Sequence, residues 1–224
     1  MSELIPTPWD KRAFGLETYE IQGLTENLLS SLDGIEGHFT IKVAPTVSKA
    51  LLHRYGFYYC DTLIEPYCTY ETFQPFYDPA VSITESVELA MLTEMCLNTF
   101  TYDRFHRDFK IDDEQADQRY VNWLTDLYHS GSVFGLRCNG NAAGFFAYKD
   151  GSILLHALSE QYRGKGLAKY FWSEACRALF SYDYHELSSS ISAANLAILN
   201  VYSKLGFSFR NPVDVYHKVN APAG

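Results

Sequence analysis

The sequence predicts a mixed α/β fold, a mostly antiparallel sheet flanked by helices rather than a doubly wound parallel sheet. Three observations carry that expectation. Three short β-rich runs follow one another in the middle of the chain, joined by two-residue turns. A glycine-bearing loop follows the third run and opens an amphipathic helix. Two helical patterns precede the runs, and strand and helix patterns alternate after them.

Taken in order, residues 1–75 read as a smaller α/β unit, with strands near residues 17–21, 39–43 and 57–63. Residues 76–224 read as the larger unit. Its first helix is expected to begin near Thr84, a good N-cap that places Glu85 and Glu88 in a positively polarised first turn. A second helix over residues 113–128 sets Ala116, Tyr120, Trp123 and Leu127 along one face. The β-rich runs span residues 132–138, 142–148 and 152–158. Asn139-Gly140 and Asp150-Gly151 join them, and both dipeptides suit the positive φ of a tight hairpin turn. Leu167, Phe171, Ala175 and Ala178 then recur at helical spacing. Residues 186–191 read as a strand and 195–204 as a short helix. Residues 207–210 and 213–219 read as a final hairpin broken at Asn211-Pro212. Residues 41–58 echo residues 191–209, either as a true half-repeat or as a chance likeness. Pro45 stands where the later copy has Asn195, and Leu52 where it has Tyr202. Polar chemistry is therefore expected in the C-terminal half.

Charge and cysteine usage narrow the function. The formal net charge is −9. Nucleic acid and anionic membrane both require a basic surface, so neither is an expected partner. Any anionic ligand must be held by a local cluster of donors. Cys60, Cys68, Cys96, Cys138 and Cys176 form no CxxC pair and no zinc-ligand spacing with histidine. Reduced thiols in a reducing compartment are expected, with no metal. The N-terminus lacks an apolar signal core, and no stretch approaches the roughly 20 apolar residues of a membrane helix. A soluble cytoplasmic protein is the expectation.

The most informative segment is residues 161–168, Gln161, Tyr162, Arg163, Gly164, Lys165, Gly166, Leu167 and Ala168. Backbone N–H groups at a helix start are unpaired and carry positive partial charge, so they collect phosphate oxygens without using side chains. Gly164 and Gly166 permit positive φ and close approach. Arg163, Lys165 and Lys169 add positive charge to an acidic chain. The segment has neither the GK[ST] ending of a Walker loop nor the GxGxxG spacing of a dinucleotide fingerprint.

Gln161-x-x-Gly164-x-Gly166 resembles the acetyl-coenzyme A pyrophosphate motif of the GNAT superfamily of N-acetyltransferases. Asn195, Tyr202 seven residues on, and Gly206-Phe207 resemble that superfamily's second cofactor segment. The likeness covers roughly residues 80–220. It implies the GNAT fold, with a smaller degenerate GNAT-like N-terminal half, and acetyl-coenzyme A as cofactor. It also implies that the strand before the loop bulges and splays from its neighbour. The pantetheine arm would then pair with the backbone near Ala157 and Leu158, and the Leu158 N–H would face the thioester oxygen. Asn195 caps the following helix, contacts the pantetheine arm, or does both. Tyr202 is either packed between helix and sheet or, on the resemblance, close to the cofactor sulfur. A phenol protonated at pH 7 can return a proton to a leaving thiolate. His156 and Glu160 lie near the expected bulge, and alternation does not select a general base between them. A water relay with a well-placed amine serves equally.

Which amine is acetylated turns on residues 101–123. Arg104, His106, Arg107 and Lys110 fall close together, with Phe105 and Phe109 between them and Asp108 the one acid. The cluster is either a solvated loop between two helices or a site for an anionic or aromatic acceptor. The stretch Arg104, Phe105, His106, Asp108, with Ile111, Ala116, Tyr120 and Trp123 following, resembles bacterial dTDP-fucosamine N-acetyltransferases. Trp9-Asp10 and Phe14-Gly15 agree with that likeness. It implies an acceptor amine on a dTDP-linked 4-amino-4,6-dideoxyhexose, held by Arg104, Phe105, His106, Asp108 and Tyr120, and a product used in surface-polysaccharide assembly. The expected partners are that small molecule and, at most, a second copy of the chain. A peptide, protein or small-amine acetyltransferase and a non-catalytic acetyl-coenzyme A-binding module are the alternatives.

Overall fold

The computed structural model describes residues 4–97 and 99–220. The N-terminal half contains β1 (Leu4–Pro6), α1 (Pro8–Phe14), β2 (Thr18–Ile21), α2 (Glu26–Ser30), β3 (Gly37–Val43), α3 (Ala50–Arg54) and β4 (Tyr58–Thr69). After it come β5 (Val81–Thr84), α4 (Leu89–Cys96) and α5 (Asp113–His129). The meander follows as β6 (Val133–Cys138), β7 (Asn141–Lys149) and β8 (Ser152–Leu158). The chain then adds α6 (Ala168–Phe180), β9 (Glu186–Ser189), β10 (Ile191–Ser192), α7 (Leu196–Lys204) and β11 (Ser208–Asn220).

All strands join one sheet in the order β1-β2-β3-β11-β4-β9-β8-β7-β6-β5, with β10 beside β4. Pairing is parallel at β2–β3 and β8–β9 and antiparallel at the other contacts. This is the mixed, mostly antiparallel sheet that the sequence predicts. The expected boundary near residue 75 falls between β4 and β5, yet β11 from the far end of the chain lies between β3 and β4.

The meander turns form because Asn139 (φ 50°) with Gly140 (77°), and Asp150 (49°) with Gly151 (77°), adopt the left-handed geometry that matches strand twist. Alternation then sorts side chains to two faces. Phe146 joins a core with Phe134, Phe171, Trp172, Leu187 and Tyr202, beneath α6 and α7. Its neighbour Phe145 joins the opposite core with Leu92, Phe105, Tyr120, Leu124 and Leu155, beneath α4 and α5. A third core, around Leu29, Leu32, Phe39, Ile41, Leu52 and Phe57, holds the N-terminal half. Each such side chain contributes about 1.5–3 kcal/mol by leaving water.

Two expectations are corrected. Thr84 ends a strand and caps no helix; its hydroxyl accepts from Ser86 N (3.1 Å) in a local turn, and α4 starts five residues later. Asn211-Pro212 does not divide a hairpin. Both sides of it pair with β4 in the same direction, so β11 is one strand carrying a bulge between Arg210 and Val213. The five cysteines are free thiols, and no helix among the described residues is long and apolar enough to cross a membrane.

Candidate cofactor and acyl-transfer site

The site begins where two parallel strands part. β8 and β9 pair only at Ser152–Ser188 and Ile153–Ser189. Beyond that point β8 bulges at Leu154, since Ala147 faces Leu155 while Tyr148 faces Ile153. The other strand ends at Ser189, and the chain resumes as β10 against Leu63 and Ile64 of β4. Ser189 Oγ donates to Ile153 O (2.8 Å) and fixes the apex of the opening. The second half of β8 is thus paired on its β7 side alone. Ser159 N donates to Ala143 O (2.9 Å) across that side, so ladder alternation turns the preceding Leu158 N–H toward the open edge. Gly144 keeps β7 close behind, because a Cβ there would sit 2.1 Å from Ala157 O. Ala157 and Leu158 are both buried.

At the mouth of the opening stands the loop. Gly164 (φ 71°) and Gly166 (φ 70°) take the left-handed conformation, and the space where their side chains would project is empty. No side chain caps α6; Tyr170 N turns back to Leu167 O (3.0 Å), and the N–H groups of Ala168 and Lys169 are left for another acceptor. Gln161, Arg163 and Lys165 are exposed, while Tyr162, Leu167 and Ala168 are half-buried against the core below α6. The Arg163 guanidinium bends back, donating to Leu158 O (2.7 Å) and Thr99 Oγ1 (2.6 Å), and thereby ties the loop to the end of β8. Lys169 lies over the rings of Phe76 and Tyr170. Of the three basic residues here, Lys165 is the one left extending freely.

Asn195 caps α7, its Oδ1 accepting from Ile198 N (3.2 Å). The local reading of Asn195 is therefore realised, with its amide nitrogen not needed for the cap. Tyr202 is completely buried, and its hydroxyl lies 3.0 Å from His156 Nε2. Burial pushes the phenol well above its usual pKa and pushes the imidazole down to about 4, so both are neutral at pH 7.

The basic segment between α4 and α5 is organised inward. Phe105 and Asp108 are each 1% exposed, and Tyr120 is buried. Burial would raise the Asp108 pKa, but hydrogen bonds from His217 (2.7 Å), His38 (3.2 Å) and Tyr58 (2.7 Å) outweigh it and hold the carboxyl well below its usual range. Asp108 thus docks the segment onto β3, β4 and β11. His106 is bonded to Asp103 and Asp117, and Arg107 to Asp61 (2.7 Å). The expected surface of five acceptor contacts is therefore not formed as a unit: Asp103 and Asp117 engage His106, Phe105 and Tyr120 are packed in the core, and Asp108 docks the segment. Arg104 differs. Its Nε is buried without a hydrogen-bond partner, and no carboxylate among the described residues forms an ion pair with it.

Two cavities adjoin the opening, and neither was foreseen. One of about 360 Å³ reaches the apex between Leu63, Ile64, Ile153, Leu154, Ser188 and Ser190. Another, of about 630 Å³, lies at the mouth between the end of α4 and the loop, lined by Met91, Glu94, Met95, Ser159, Glu160 and Arg163. Their walls come from segments far apart in sequence, a juxtaposition that periodicity does not reveal.

Residues 98–207 match the family model for the acetyltransferase (GNAT) family. Among solved structures, the fold is similar to a GCN5-related N-acetyltransferase from Sphaerobacter thermophilus, with TM-score 0.60 at 13% identity. That match covers 84% of this chain and 61% of the Sphaerobacter chain. A functionally unknown conserved protein from Staphylococcus epidermidis matches at TM-score 0.61 and 14% identity, over 94% of this chain and 88% of the other. A tandem GNAT protein from the clavulanic acid biosynthesis pathway matches at 0.57 and 10% identity, over 92% and 76%. No curated protein matches the chain.

Proposed function

We propose that this chain, a GNAT-superfamily protein with the GNAT fold, transfers an acetyl group from acetyl-coenzyme A to the amine of a nucleotide-linked amino sugar, of the dTDP-4-amino-4,6-dideoxyhexose type, for surface-polysaccharide assembly. The observation that carries the reading is the unpaired edge of β8 leading directly to the uncapped start of α6. That combination suits one ligand with an extended amide-bearing arm and a pyrophosphate. Backbone pairing along residues 156–158 would hold the arm, and the loop N–H groups from Gly164 to Ala168 would hold the phosphates. Bound there, the cofactor supplies an activated acyl thioester.

The chain's own groups account for the rest. The Leu158 N–H, fixed by the β7–β8 ladder, is aimed where negative charge develops on the acyl oxygen. Tyr202 holds a proton at pH 7 and is the group we assign to the leaving thiolate. Glu94 and Glu160 beside the mouth suit an acceptor that arrives as an ammonium ion. The unpaired Arg104 guanidinium suits one that also carries negative charge, as a sugar nucleotide does.

A second reading, a small polyamine acceptor, is favoured by the acidic flanks of the larger cavity, where the one lining cation, Arg163, already donates to Leu158 and Thr99. Incubation with acetyl-coenzyme A and a panel of dTDP-amino sugars and polyamines, followed by thiol release and mass detection, separates the two. Acetylated sugar nucleotide supports the first reading. Acetylation confined to polyamines replaces it with the second.

A further inference from the structure

The smaller cavity, about 360 Å³, sits at the apex of the opening, and the cofactor loop stands at the mouth, so the two occupy opposite ends. Its side chains fall on one face of the sheet. Ile64 and Ile153 turn to the core beneath α6 and α7, and Ser189, a neighbour of Tyr202, lies on that side too. Alternation therefore sends Leu63, Glu65, Ser152, Leu154, Ser188 and Ser190 to the opposite face. Leu154 accordingly packs with the core beneath α4 and α5. The bulge of β11 closes the far end with Val213 and Asn211.

The lining is polar but carries no unpaired charge. Glu65 is its one ionisable group, and it accepts from Arg210 Nε (2.8 Å) and Asn211 Nδ2 (2.9 Å). The other nitrogens of that guanidinium bond Glu186 (2.6 and 3.1 Å). A phosphate would find no free cation here, and an ammonium no free carboxylate. Among the described residues the hydroxyls of Ser152, Ser188 and Ser190 have no hydrogen-bond partner, and Ser190 is exposed. Leu63, Leu154 and Val213 supply apolar surface beside them. The larger cavity, with Glu94, Glu160 and Arg163 in its lining, is charged by contrast.

We propose that this cavity seats the sugar ring of the acceptor, an inference that rests on the reading of that acceptor as a sugar nucleotide. The hydroxyls of Ser152, Ser188 and Ser190 bond the hydroxyl groups of the ring, and Leu63, Leu154 and Val213 take its apolar edge. A serine hydroxyl both donates and accepts, so it matches a neutral sugar hydroxyl in either sense. A 4-amino-4,6-dideoxyhexose presents adjacent hydroxyls along one edge and a methyl group on another, the same division as the cavity wall. Apolar surface with a few convergent polar groups is the usual make-up of a small-molecule pocket. A linear polyamine has no hydroxyls to offer and would leave the cavity unused.

The test is calorimetric binding to the protein saturated with coenzyme A, which needs no turnover. The probes are dTDP-4-amino-4,6-dideoxygalactose, dTDP alone and spermidine. They are compared in wild type, Ser188→Ala, Ser190→Ala and Ser190→Trp, each checked for folding by thermal melting. Each alanine variant should raise the Kd of the sugar nucleotide about two- to tenfold, the equivalent of one neutral hydrogen bond, and leave the Kd of dTDP unchanged. Ser190→Trp should fill the cavity, so that the sugar nucleotide binds no better than dTDP. If Ser190→Trp fails to fold, the Ser188→Ala/Ser190→Ala pair carries the comparison, with a loss larger than either single change. Wild-type affinity for the sugar nucleotide in every variant, or equal losses for dTDP, would overturn the seat while leaving the sugar-nucleotide reading in place. A wild-type protein that binds spermidine and no sugar nucleotide would overturn both together.

Discussion

The two halves of the sheet use one plan with opposite outcomes. In the N-terminal half, β2, α2, β3, α3 and β4 follow in the order taken later by β8, α6, β9, α7 and β11, and the two closing strands, β4 and β11, lie side by side at the centre. The parallel pair β2–β3 stays in register through four residues, from Thr18–His38 to Ile21–Ile41. Its counterpart β8–β9 separates after two. The α2 helix has five residues and a Thr25 cap that accepts from Leu28 N (3.3 Å), whereas the thirteen-residue α6 has no side-chain cap. Leu52 and Tyr202 occupy matching, fully buried places. The difference lies in which backbone groups each half leaves unpaired. A closed half satisfies its own N–H groups and is scaffold; an open half reserves them for a ligand.

The largest way to break that contrast is to fill the loop. Gly164→Trp should abolish acetyl-coenzyme A binding by calorimetry, since a bulky side chain would be forced into left-handed backbone in front of the α6 N-terminus. Retained affinity would remove the loop from the site. Tyr202→Phe should lower kcat by roughly 10²–10⁴-fold, the usual scale for a lost acid, with little change in cofactor affinity. Its mirror, Leu52→Ala, should cost about 2–5 kcal/mol of stability in denaturant melts and leave the kcat of the folded protein unchanged. An effect of Leu52→Ala on catalysis would mean that the closed half is more than scaffold. Arg104→Ala should raise the acceptor KM about tenfold, equivalent to one charge-assisted contact of about 1.4 kcal/mol. A change confined to acetyl-coenzyme A would place Arg104 on the wrong side of the opening.

The smallest expected effect is a pH dependence that comes from buried groups of the C-terminal half, His156 on β8 and His217 on β11. Burial lowers His156 and His217 to about 4, so each is neutral when folded, but each gains a proton near 6.5 when unfolded. The unfolded state therefore binds more protons between pH 6.5 and 4, and stability should fall as pH drops through that window. Below it, Asp108 adds a further loss. Its carboxyl is held well under the ordinary value of about 3.9, so its contribution is present above that value and disappears as acid protonates it. Urea midpoints measured from pH 7 to 4 should decline, less so in His217→Phe. A flat profile would contradict the burial of both rings.

What could be read from the sequence was what local chemistry decides. Asn-Gly and Asp-Gly demand tight turns wherever they sit between strands, so the meander and the loop after it were legible, as was the α7 cap at Asn195. Asn211-Pro212 shows the limit. The same left-handed asparagine (φ 52°) serves a turn or a bulge, and only pairing with β4, some 145 residues away, selects the bulge. Thr84 is equally good at capping a helix and at closing a local turn. Arg107 read as part of a free basic surface because its partner, Asp61, is remote in sequence, as are His38 and His217, the residues that bury Asp108. The His156–Tyr202 contact spans 46 residues and was hidden for the same reason.

Amide hydrogen exchange with and without acetyl-coenzyme A tests the contrast between the halves most directly. The expected result is strong new protection of residues 154–168, covering the open edge of β8 and the loop, with the β2–β3 pair unchanged. Binding that protects β2–β3 instead, or that leaves residues 154–168 as exposed as before, would contradict the assignment of the open half as the cofactor site.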